Sequence, residues 1–322
     1  MSDSVFPVVD LSPFTAGGGG DEDAKKKVIR TIGDACAKHG IFQIINHGVP
    51  TEVIDRHLEN MRTFFAYPDE EKSKWKPKTD DLFYAGYVDM SKISQFKKEE
   101  LTMNHPDCGY NIYPDNPPRL REDLLEIFSY FSRTAVIIEG ILNDYLGLPP
   151  GFLKEYNNVR KQDIMASFRY IAATDPDEEK IGVIAHQDAS LITLLLQDDI
   201  GGLEFYEDGK WKPVTPIKGA LTVNIGDPMQ VVSNGKLKSA EHRVVRTVGR
   251  DRYSCAFALL LGIEKWVEPL PQLIINEAPK YRRFTFGEYT LKRLKDLKDS
   301  PSTPEAAHTI NSYALRPIEG EA

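Results

Sequence analysis

Between about residues 163 and 265, short apolar runs alternate with tight-turn signals, and this texture constrains the fold more than any other feature of the sequence. Asp208-Gly209, Asn234-Gly235 and Gly249 each separate two strand-like runs, and Asp-Gly and Asn-Gly in such places are typical of β-hairpins. No helical pattern intervenes. Strands at this spacing indicate an antiparallel sandwich or barrel such as a jelly roll. The predicted fold class is therefore α+β with a mainly β core.

Helical patterns flank the predicted β core on both sides. Helices are predicted over 21–39, 52–66 and 120–146, and short strands over 6–11 and 41–46. Residues 73–118 have no clear period and are interpreted as loops and short elements. The sequence thus divides into an N-terminal region, a long helix with its connection, the β core and a helical tail. These regions span 1–118, 119–162, 163–265 and 266–322.

The composition indicates a globular protein that acts on something small. Hydrophobic residues make up 41% of the 322 residues, the formal net charge is −8, and there is no basic run that would favour nucleic acid. No apolar stretch is long enough to span a membrane, and no secretory signal is visible. The three cysteines, Cys36, Cys108 and Cys255, are too few and too scattered for a disulfide framework. We expect a cytoplasmic monomer.

His186 and Asp188 lie between two apolar β-like runs, 181–185 and 191–196. If this segment is extended, side chains two residues apart point to the same face. A carboxylate amid so much apolar structure needs a partner, because burying an unpaired charge is costly. A metal ion would satisfy both groups. A His–Asp hydrogen bond or a solvated strand end is the alternative that these two residues leave open.

His242 begins another predicted strand, just after Asn234-Gly235. Two imidazoles and one carboxylate on the strands of a β-barrel form the facial triad of non-haem Fe(II) oxygenases, which leaves three coordination positions open. Activation of O2 requires those positions, one for O2 and two for a bidentate co-substrate. The combination of His242 with His186 and Asp188 therefore favours a catalytic Fe(II) site over a structural histidine.

Arg252 and Ser254 are again two residues apart, at the start of the apolar run 252–261. The planar fork of an arginine suits bidentate capture of a carboxylate, and a serine hydroxyl can add a donor. A surface arginine at the open end of the strand is the alternative. Beside a metal site, a carboxylate-bearing co-substrate becomes the better interpretation.

These motifs, in this order, resemble those of the plant-type 2-oxoglutarate/Fe(II)-dependent dioxygenases of the isopenicillin N synthase-like superfamily. His186-x-Asp188, His242 and Arg252-x-Ser254 match the family's order and approximate spacing, and residues 40–50 (GIFQIINHGVP) are similar to its N-terminal signature. The resemblance covers nearly the whole chain. It implies a double-stranded β-helix, the jelly roll of this family, flanked by N-terminal and C-terminal helices.

The resemblance also implies a role for each residue of the site. His186, Asp188 and His242 would bind Fe(II), Arg252 and Ser254 would bind the distal carboxylate of 2-oxoglutarate, and Tyr170 would touch the same co-substrate. O2 is the second co-substrate, and ascorbate is expected to be supportive. The family expectation for the tail, around residues 281–289, is a lid helix over the site.

Departures from the family pattern bear on the substrate pocket. Phe168 and Ile171 replace an Asn and a Pro of the family's segment around Tyr170, and Ala258 stands where many flavonoid-type members carry a Phe. Both changes reshape the pocket and argue against a standard flavonoid enzyme. Phe83 and Tyr84 are candidates for the pocket mouth, although ordinary packing explains them equally well.

The other candidate side chains are given structural or solvated roles. His47 belongs to the structural N-terminal signature, and residues 72–78 are interpreted as a solvated lysine-rich face. Four further histidines are expected at the surface. They are His39, His57, His105 and His308.

The predicted function is an enzyme that hydroxylates, desaturates or oxidatively demethylates a small organic molecule, a specialised plant metabolite, using Fe(II), O2 and 2-oxoglutarate. Two alternatives stay open. One is an iron oxidase of the same fold that does not use 2-oxoglutarate. The other is a protein that binds a small molecule without turning it over.

Overall fold

The protein is described by a computed structural model covering residues 6–15, 21–78, 83–93, 96–175, 178, 180–299 and 309–315. Its helices are α1 Ser12–Thr15, α2 Glu22–Lys38, α3 Thr51–Phe65, α4 Asp69–Lys72, α5 Met90–Ile93, α6 Leu120–Tyr145, α7 Phe152–Tyr156, α8 Asp227–Val232 and α9 Phe286–Asp299. No helix among these described residues is both long enough and apolar enough to cross a membrane.

The strands fall into two main sheets and a small two-stranded sheet. They are β1 Val8–Asp10, β2 Ile41–Ile45, β3 Gly86–Asp89, β4 Lys98–Asn104, β5 Ile164–Tyr170, β6 Ile181–His186, β7 Ile192–Gln197, β8 Leu203–Glu207, β9 Lys210–Pro213, β10 Leu221–Ile225, β11 His242–Val245, β12 Arg252–Leu259, β13 Trp266–Val267 and β14 Phe284–Thr285. The larger sheet has the order β1-β2-β10-β7-β12-β5-β4-β3, and the smaller has the order β6-β11-β8-β9. This is the predicted β core with flanking helices.

The two faces of the larger sheet have different surroundings. On β5 and β12, Met165, Ser167, Cys255 and Phe257 are buried, and their side of the sheet contacts α3 and α6. The opposite side is called the inner face here. Five of its residues on the same two strands are only half-buried, namely Ile164, Ala166, Phe168, Ala256 and Ala258. The inner face therefore borders a space that solvent reaches.

Local sequence explains the flanking helices well. Asp21 caps α2 by accepting a hydrogen bond from the backbone N–H of Asp23, and Gly40 ends the helix with a φ of +72° that favours glycine. Gly147 follows α6 in the same way, with a φ of +66°. The predicted helices over 21–39, 52–66 and 120–146 are confirmed within one or two residues.

Two local predictions were wrong. Residues 73–118 contain β3 and the seven-residue β4, which extend the larger sheet beyond β5. Asn234-Gly235 does not close a hairpin, because the preceding residues form α8 rather than a strand. The hairpin at Asp208-Gly209, by contrast, is confirmed between β8 and β9.

Candidate active site

The three predicted metal ligands come together where the two sheets meet. His186 ends β6 and His242 begins β11, and the two are directly opposite each other in the antiparallel pair. Asp188 lies on the short connection between β6 and β7. Its Oδ1 is 3.5 Å from His186 Nε2 and 3.7 Å from His242 Nε2. One ligand atom from each side chain thus faces a common point.

The far side of each ligand is held by a hydrogen bond. His186 Nδ1 donates to the Ile184 carbonyl at 2.8 Å, and His242 Nδ1 donates to the Ala240 carbonyl at 3.0 Å. These bonds fix the tautomer in which the Nε2 lone pair is free to bind a metal.

Asp188 is held in the same way. Its Oδ2 accepts hydrogen bonds from the Thr193 hydroxyl at 2.6 Å and from the Asn224 amide at 2.8 Å. Thr193 lies on β7 and Asn224 on the neighbouring β10, so the pairing of two strands sets the carboxylate orientation. Oδ1 is left to face the two histidines.

The surroundings also set the protonation states. Burial raises the pKa of Asp188, but His242, His186 and the Asn224 amide lower it by more, so the net pKa lies well below the ordinary aspartate range. Burial lowers the pKa of His242 to about 4, and the nearby His186 contributes to the fall. An ionised carboxylate and a neutral imidazole are the forms that bind a metal.

The donor set fits Fe(II), since two imidazoles and one carboxylate on one side of an ion leave its other positions open. Within the described residues, one other group of three possible metal ligands lies close together, and it consists of the carboxylates of Asp69, Asp89 and Glu99. There, Lys72 and Lys92 bind the carboxylates. That second group is therefore an ion-pair cluster.

Arg252, Ser254 and Tyr170 also lie together, on the inner face of β12 and β5. Arg252 and Tyr170 are opposite each other in the sheet, and the guanidinium lies 4.9 Å from the centre of the Tyr170 ring. Arg252 is only 1% exposed. Its Nη1 donates to Ser254 Oγ at 2.9 Å, and its Nη2 donates to Gln197 Oε1 at 3.1 Å.

This arginine still lacks a full set of acceptors. Arg252 Nε and Gln197 Nε2 are buried and have no hydrogen-bond acceptor within the described part of the chain. Burial lowers the pKa of Arg252, although Tyr170 and Asp198 oppose the fall, and the group stays charged. A buried cation with an unused donor fits the carboxylate end of 2-oxoglutarate.

The predicted pocket residues have different positions. Phe168 and Ala258 lie on the inner face of β5 and β12, and the Tyr84 hydroxyl donates to Glu100 on the inner face of β4. Phe83 packs, partly buried, against the main hydrophobic core. Their contact with a substrate stays a prediction.

Two histidines and a lysine expected at the surface are buried instead. His57 is fully buried between Asp123 and Ser167, and His39 pairs with Glu207. Lys72 is 3% exposed. His47 is also buried, and its Nε2 bonds the Gly219 carbonyl at 2.7 Å, in keeping with a structural role. His308 lies outside the described residues.

Comparison with known proteins places this site in a family. Residues 161–260 match the 2OG-Fe(II) oxygenase superfamily, and residues 6–122 match the non-haem dioxygenase in morphine synthesis N-terminal family. Flavanone 3-dioxygenase 2 of Oryza sativa subsp. japonica is 33% identical over 304 residues, which cover 91% of this chain and 84% of that protein. This chain belongs to the 2OG-Fe(II) oxygenase superfamily. It is an oxygenase that uses Fe(II) and 2-oxoglutarate, as the sequence motifs predicted.

Other relatives agree over most of their length. Deacetoxyvindoline 4-hydroxylase of Catharanthus roseus is 30% identical over 318 residues, covering 94% of this chain and 77% of that protein. The crystal structure of JOX2 in complex with 2OG, Fe and JA aligns with a TM-score of 0.77 at 28% identity, covering 89% of this chain and 84% of that one. The dioxygenase for auxin oxidation in rice aligns with a TM-score of 0.77 at 27% identity, covering 96% and 100%. The double-stranded β-helix fold is thereby confirmed.

Sequence reasoning missed the side chains that hold the ligands. Thr193 and Asn224 orient Asp188, and Gln197 contacts Arg252. The C-terminal helix also contributes, because Arg293 Nη2 donates to the carbonyl of Gln187, between the two ligands of the H-x-D motif, at 2.5 Å. The available signal for Gln197 was the alternation of side chains along β7. Thr193, Leu195 and Gln197 are each two residues apart, so they share the inner face of that strand.

Proposed function

We propose that His186, Asp188 and His242 bind the Fe(II) of this oxygenase, and that Arg252, Ser254 and Tyr170 anchor its 2-oxoglutarate. The observation that carries this proposal is the arrangement at Asp188, where Oδ2 is occupied by two donors and Oδ1 faces both imidazole Nε2 atoms. Bound Fe(II) supplies the activation of O2, coupled to oxidative decarboxylation of 2-oxoglutarate to succinate and CO2.

The chain's own residues supply orientation and charge. The backbone carbonyls of Ile184 and Ala240 hold the imidazoles in one tautomer, and Thr193 and Asn224 hold the carboxylate in one rotamer. The buried guanidinium of Arg252 fixes the distal carboxylate of the co-substrate in a place from which water is largely excluded. Positioning of this kind lowers the entropic cost of bringing the reactants together.

The substrate we propose is a small organic molecule of the kind made in specialised plant metabolism, which the enzyme hydroxylates, desaturates or oxidatively demethylates. Relatives named for flavanones, for coumaroyl CoA and for deacetoxyvindoline support this class. The half-buried inner face near Phe168 and Ala258 is its proposed place. We further propose that the protein acts as a cytoplasmic monomer, without a nucleic-acid partner.

The test is the formation of succinate from 2-oxoglutarate by the Fe(II)-loaded protein, alone and with a panel of small plant metabolites. We expect a metabolite that stimulates succinate formation and is itself oxidised, and we expect His186→Ala to abolish both. Oxidation without any turnover of 2-oxoglutarate would instead identify an iron oxidase of the same fold. Binding and biological activity that survive His186→Ala unchanged would identify a non-catalytic binding protein.

A further inference from the structure

Two lysine–glutamate–tyrosine clusters lie on opposite faces of β4. The outer cluster joins Lys72, Glu99 and Tyr87, on the side of the sheet that α3 covers. The inner cluster joins Lys98, Glu100 and Tyr84. Neighbouring residues of a strand point to opposite faces, so Glu99 and Glu100 separate the two clusters.

The outer cluster is saturated. Lys72 Nζ lies 3.1 Å from the Phe65 carbonyl, 2.5 Å from Glu99 Oε1 and 3.6 Å from Asp69 Oδ1. Two of the three N–H groups of the ammonium thus form hydrogen bonds, and Asp69 lies at ion-pair distance. The outer cluster therefore ties the helices to the sheet and has nothing left to offer a ligand.

The inner cluster is not saturated. Lys98 Nζ donates to Glu100 Oε2 at 3.0 Å, and this is the one side-chain acceptor that it contacts among the described residues. Its remaining N–H groups lie over the face of Phe168, with Nζ 4.8 Å from the ring centre. The Lys98 side chain is 14% exposed, against 4% for Lys72. Burial lowers the pKa of Lys98, but Glu100 and Tyr170 raise it by more, so the ammonium stays charged.

The inner cluster lies beside the proposed 2-oxoglutarate anchor. In the sheet, Lys98 is opposite Tyr170, and Glu100 is opposite Phe168. Phe168 is in turn opposite Ser254. A molecule beside Phe168 is thus next to both the Lys98 ammonium and the anchor.

The charges on this face limit what such a molecule can carry. On β4, β5, β7 and β12, the charged residues of the inner face are Lys98, Glu100 and Arg252. Lys98 and Glu100 neutralise each other, and the proposed function assigns Arg252 to the co-substrate. A charged substrate would bring a further charge without a partner into a poorly solvated space, which is costly.

Glu100 sets a second requirement for the substrate, namely the kind of polar group that it carries. Its two carboxylate oxygens accept from Tyr84 and Lys98, which uses two of about four lone-pair positions. The cluster therefore offers a donor and an acceptor side by side. A hydroxyl group is the small neutral function that uses both.

We propose that Lys98 and Glu100 recognise an uncharged substrate through a hydroxyl group that accepts from the ammonium and donates to the carboxylate. This proposal rests on the proposed function, because it takes Arg252 as already committed to 2-oxoglutarate. Lys98 and Glu100 act here as specificity-determining residues, with Phe168 as the apolar platform beside them.

The experiment compares three compounds of one shape, 2-naphthol, 2-methoxynaphthalene and 2-naphthoate, by equilibrium dialysis against the protein loaded with Fe(II) and 2-oxoglutarate without O2. We expect 2-naphthol to bind about tenfold more tightly than either of the others, since each lost hydrogen bond costs about a factor of five to ten. Lys98→Met should weaken the binding of 2-naphthol about five- to tenfold, because it removes the donor to the hydroxyl oxygen.

Two further variants keep the result interpretable. Lys97→Met removes an exposed lysine one residue away and should leave the preference for 2-naphthol intact. The double variant Lys98→Met/Glu100→Gln avoids a buried unpaired carboxylate and should lose the preference even if Lys98→Met does not fold.

Three results would overturn the proposal. They are tighter binding of 2-naphthoate that depends on Lys98, no preference or no binding among the three compounds, and a loss of 2-oxoglutarate binding in the double variant, which would assign Lys98 to the co-substrate. Binding of 2-oxoglutarate to the wild-type protein is measured alongside. If it fails, the proposed function falls; if it holds while the preference for 2-naphthol fails, this inference alone falls.

Discussion

At the scale of single residues, the site depends on atoms that do not face the metal position. In each proposed ligand, an atom that does not face the metal position forms a hydrogen bond. Backbone carbonyls accept from His186 and His242, and Thr193 and Asn224 donate to Asp188. Partners of this kind orient ligands and tune their affinity. Their loss should therefore weaken metal binding without removing a ligand.

Asn224→Ala tests this most directly. The variant leaves Asp188 in place but removes the amide that holds Oδ2 at 2.8 Å, so we expect the affinity for Fe(II) to fall about 10- to 100-fold. Anaerobic titration with Fe(II) measures it. Thr222→Val, two residues earlier on β10, is the control and should keep wild-type affinity. An unchanged affinity in Asn224→Ala would show that Thr193 suffices.

The carboxylate anchor predicts a graded response. Ser254→Ala removes one neutral hydrogen-bond partner, and we expect affinity for 2-oxoglutarate to fall by about 1 kcal/mol, or roughly fivefold. Arg252→Lys keeps the charge but loses the fork that bonds Ser254 and Gln197, and should cost more. Calorimetric titration of 2-oxoglutarate compares them. Equal affinities for Arg252→Lys and wild type would place the carboxylate elsewhere.

At the scale of secondary-structure elements, close packing between turns sets the position of Asp188, one of the proposed metal ligands. Gly226, between β10 and α8, lies against the connection that carries Asp188. A Cβ atom at Gly226 would lie 1.9 Å from the Ser190 carbonyl oxygen and 2.8 Å from that of Asp188. The Asp227 N–H also donates to the Asp188 carbonyl at 2.8 Å. The two segments therefore fix each other.

Gly226→Ala should accordingly lower both stability and metal affinity. A backbone carbonyl cannot move aside as a flexible side chain can. We therefore expect the free energy of unfolding to fall by roughly 1–3 kcal/mol or more, which is the usual cost of overpacking. Gly140→Ala is the matched substitution, since nothing lies within 4 Å of its added Cβ in the middle of α6. It should raise stability by about 0.5–1 kcal/mol. Chemical denaturation that gives both variants the same sign would contradict this packing argument.

His57 joins three elements, because it lies on α3, bonds Asp123 of α6 and bonds Ser167 of β5. Burial lowers its pKa, but Cys255 and Asp123 raise it by more, to about 9. A raised pKa stabilises the fold fully below the unfolded pKa of about 6.5 and ceases to do so as pH rises through 9.

We therefore expect the free energy of unfolding of the metal-free protein to fall between pH 6.5 and 9, by up to about 3 kcal/mol. Denaturation at a series of pH values measures this slope. His57→Gln should flatten it, and His105→Gln, at a turn outside the core, should leave it unchanged. A slope that persists in His57→Gln would assign the effect to another group.

Sequence patterns predicted the helices and the order of the proposed ligands because both depend on short stretches of sequence. The caps at Asp21 and Gly40 and the spacing of His186 and Asp188 need no knowledge of the rest of the chain. The strand β4 was missed because Lys98, Glu99 and Glu100 suggest a solvated loop. Two of their charged partners, Lys72 and Arg169, lie 27 and 70 residues from Glu99 in sequence and neutralise it only after folding.

The same reason limits what could be known of the site. Asn224 becomes a partner of Asp188 only when β10 pairs with β7, 36 residues from that carboxylate in sequence. His57 appeared polar and exposed, but its buried partners come from α6 and β5. Residues that belong to a sequence motif could be predicted, and residues outside any motif whose role depends on a distant pairing could not.

At the scale of the whole molecule, the C-terminal helix is bonded to the proposed metal site. Arg293 of α9 donates to Asp227 Oδ2 at 2.9 Å and to the carbonyl of Gln187 at 2.5 Å, and Tyr289 also donates to Asp227. Asp227 is fully buried, so this contact is an internal clamp. Whether the helix also covers the substrate as a lid stays a prediction.

Arg293→Met should therefore act on stability and on the metal together. Removing one partner of a buried ion pair costs about 3–5 kcal/mol, and the Gln187 carbonyl loses its donor between the two ligands. We expect a lower free energy of unfolding and weaker Fe(II) binding, measured by denaturation and by metal titration. Lys292→Met, which breaks an exposed pair with Glu288 and a contact with the Tyr313 ring but touches neither Asp227 nor Gln187, should leave Fe(II) affinity unchanged. Normal Fe(II) affinity in Arg293→Met would separate the helix from the site.

The order of strands in the larger sheet has a consequence for the folding of the chain during its synthesis. β2 emerges from the ribosome long before its partner β10, and β4 emerges well before β5, since Lys98 pairs with Tyr170. Early in synthesis β2 can pair only with β1 and β4 only with β3, and their pairing with β10 and β5 is long-range and slow. In a fragment limited to residues 163–265, β10 and β5 would be unpaired edge strands, and strands of other chains could pair with them. We expect that stretch, expressed alone, to aggregate, even though it contains every proposed metal ligand.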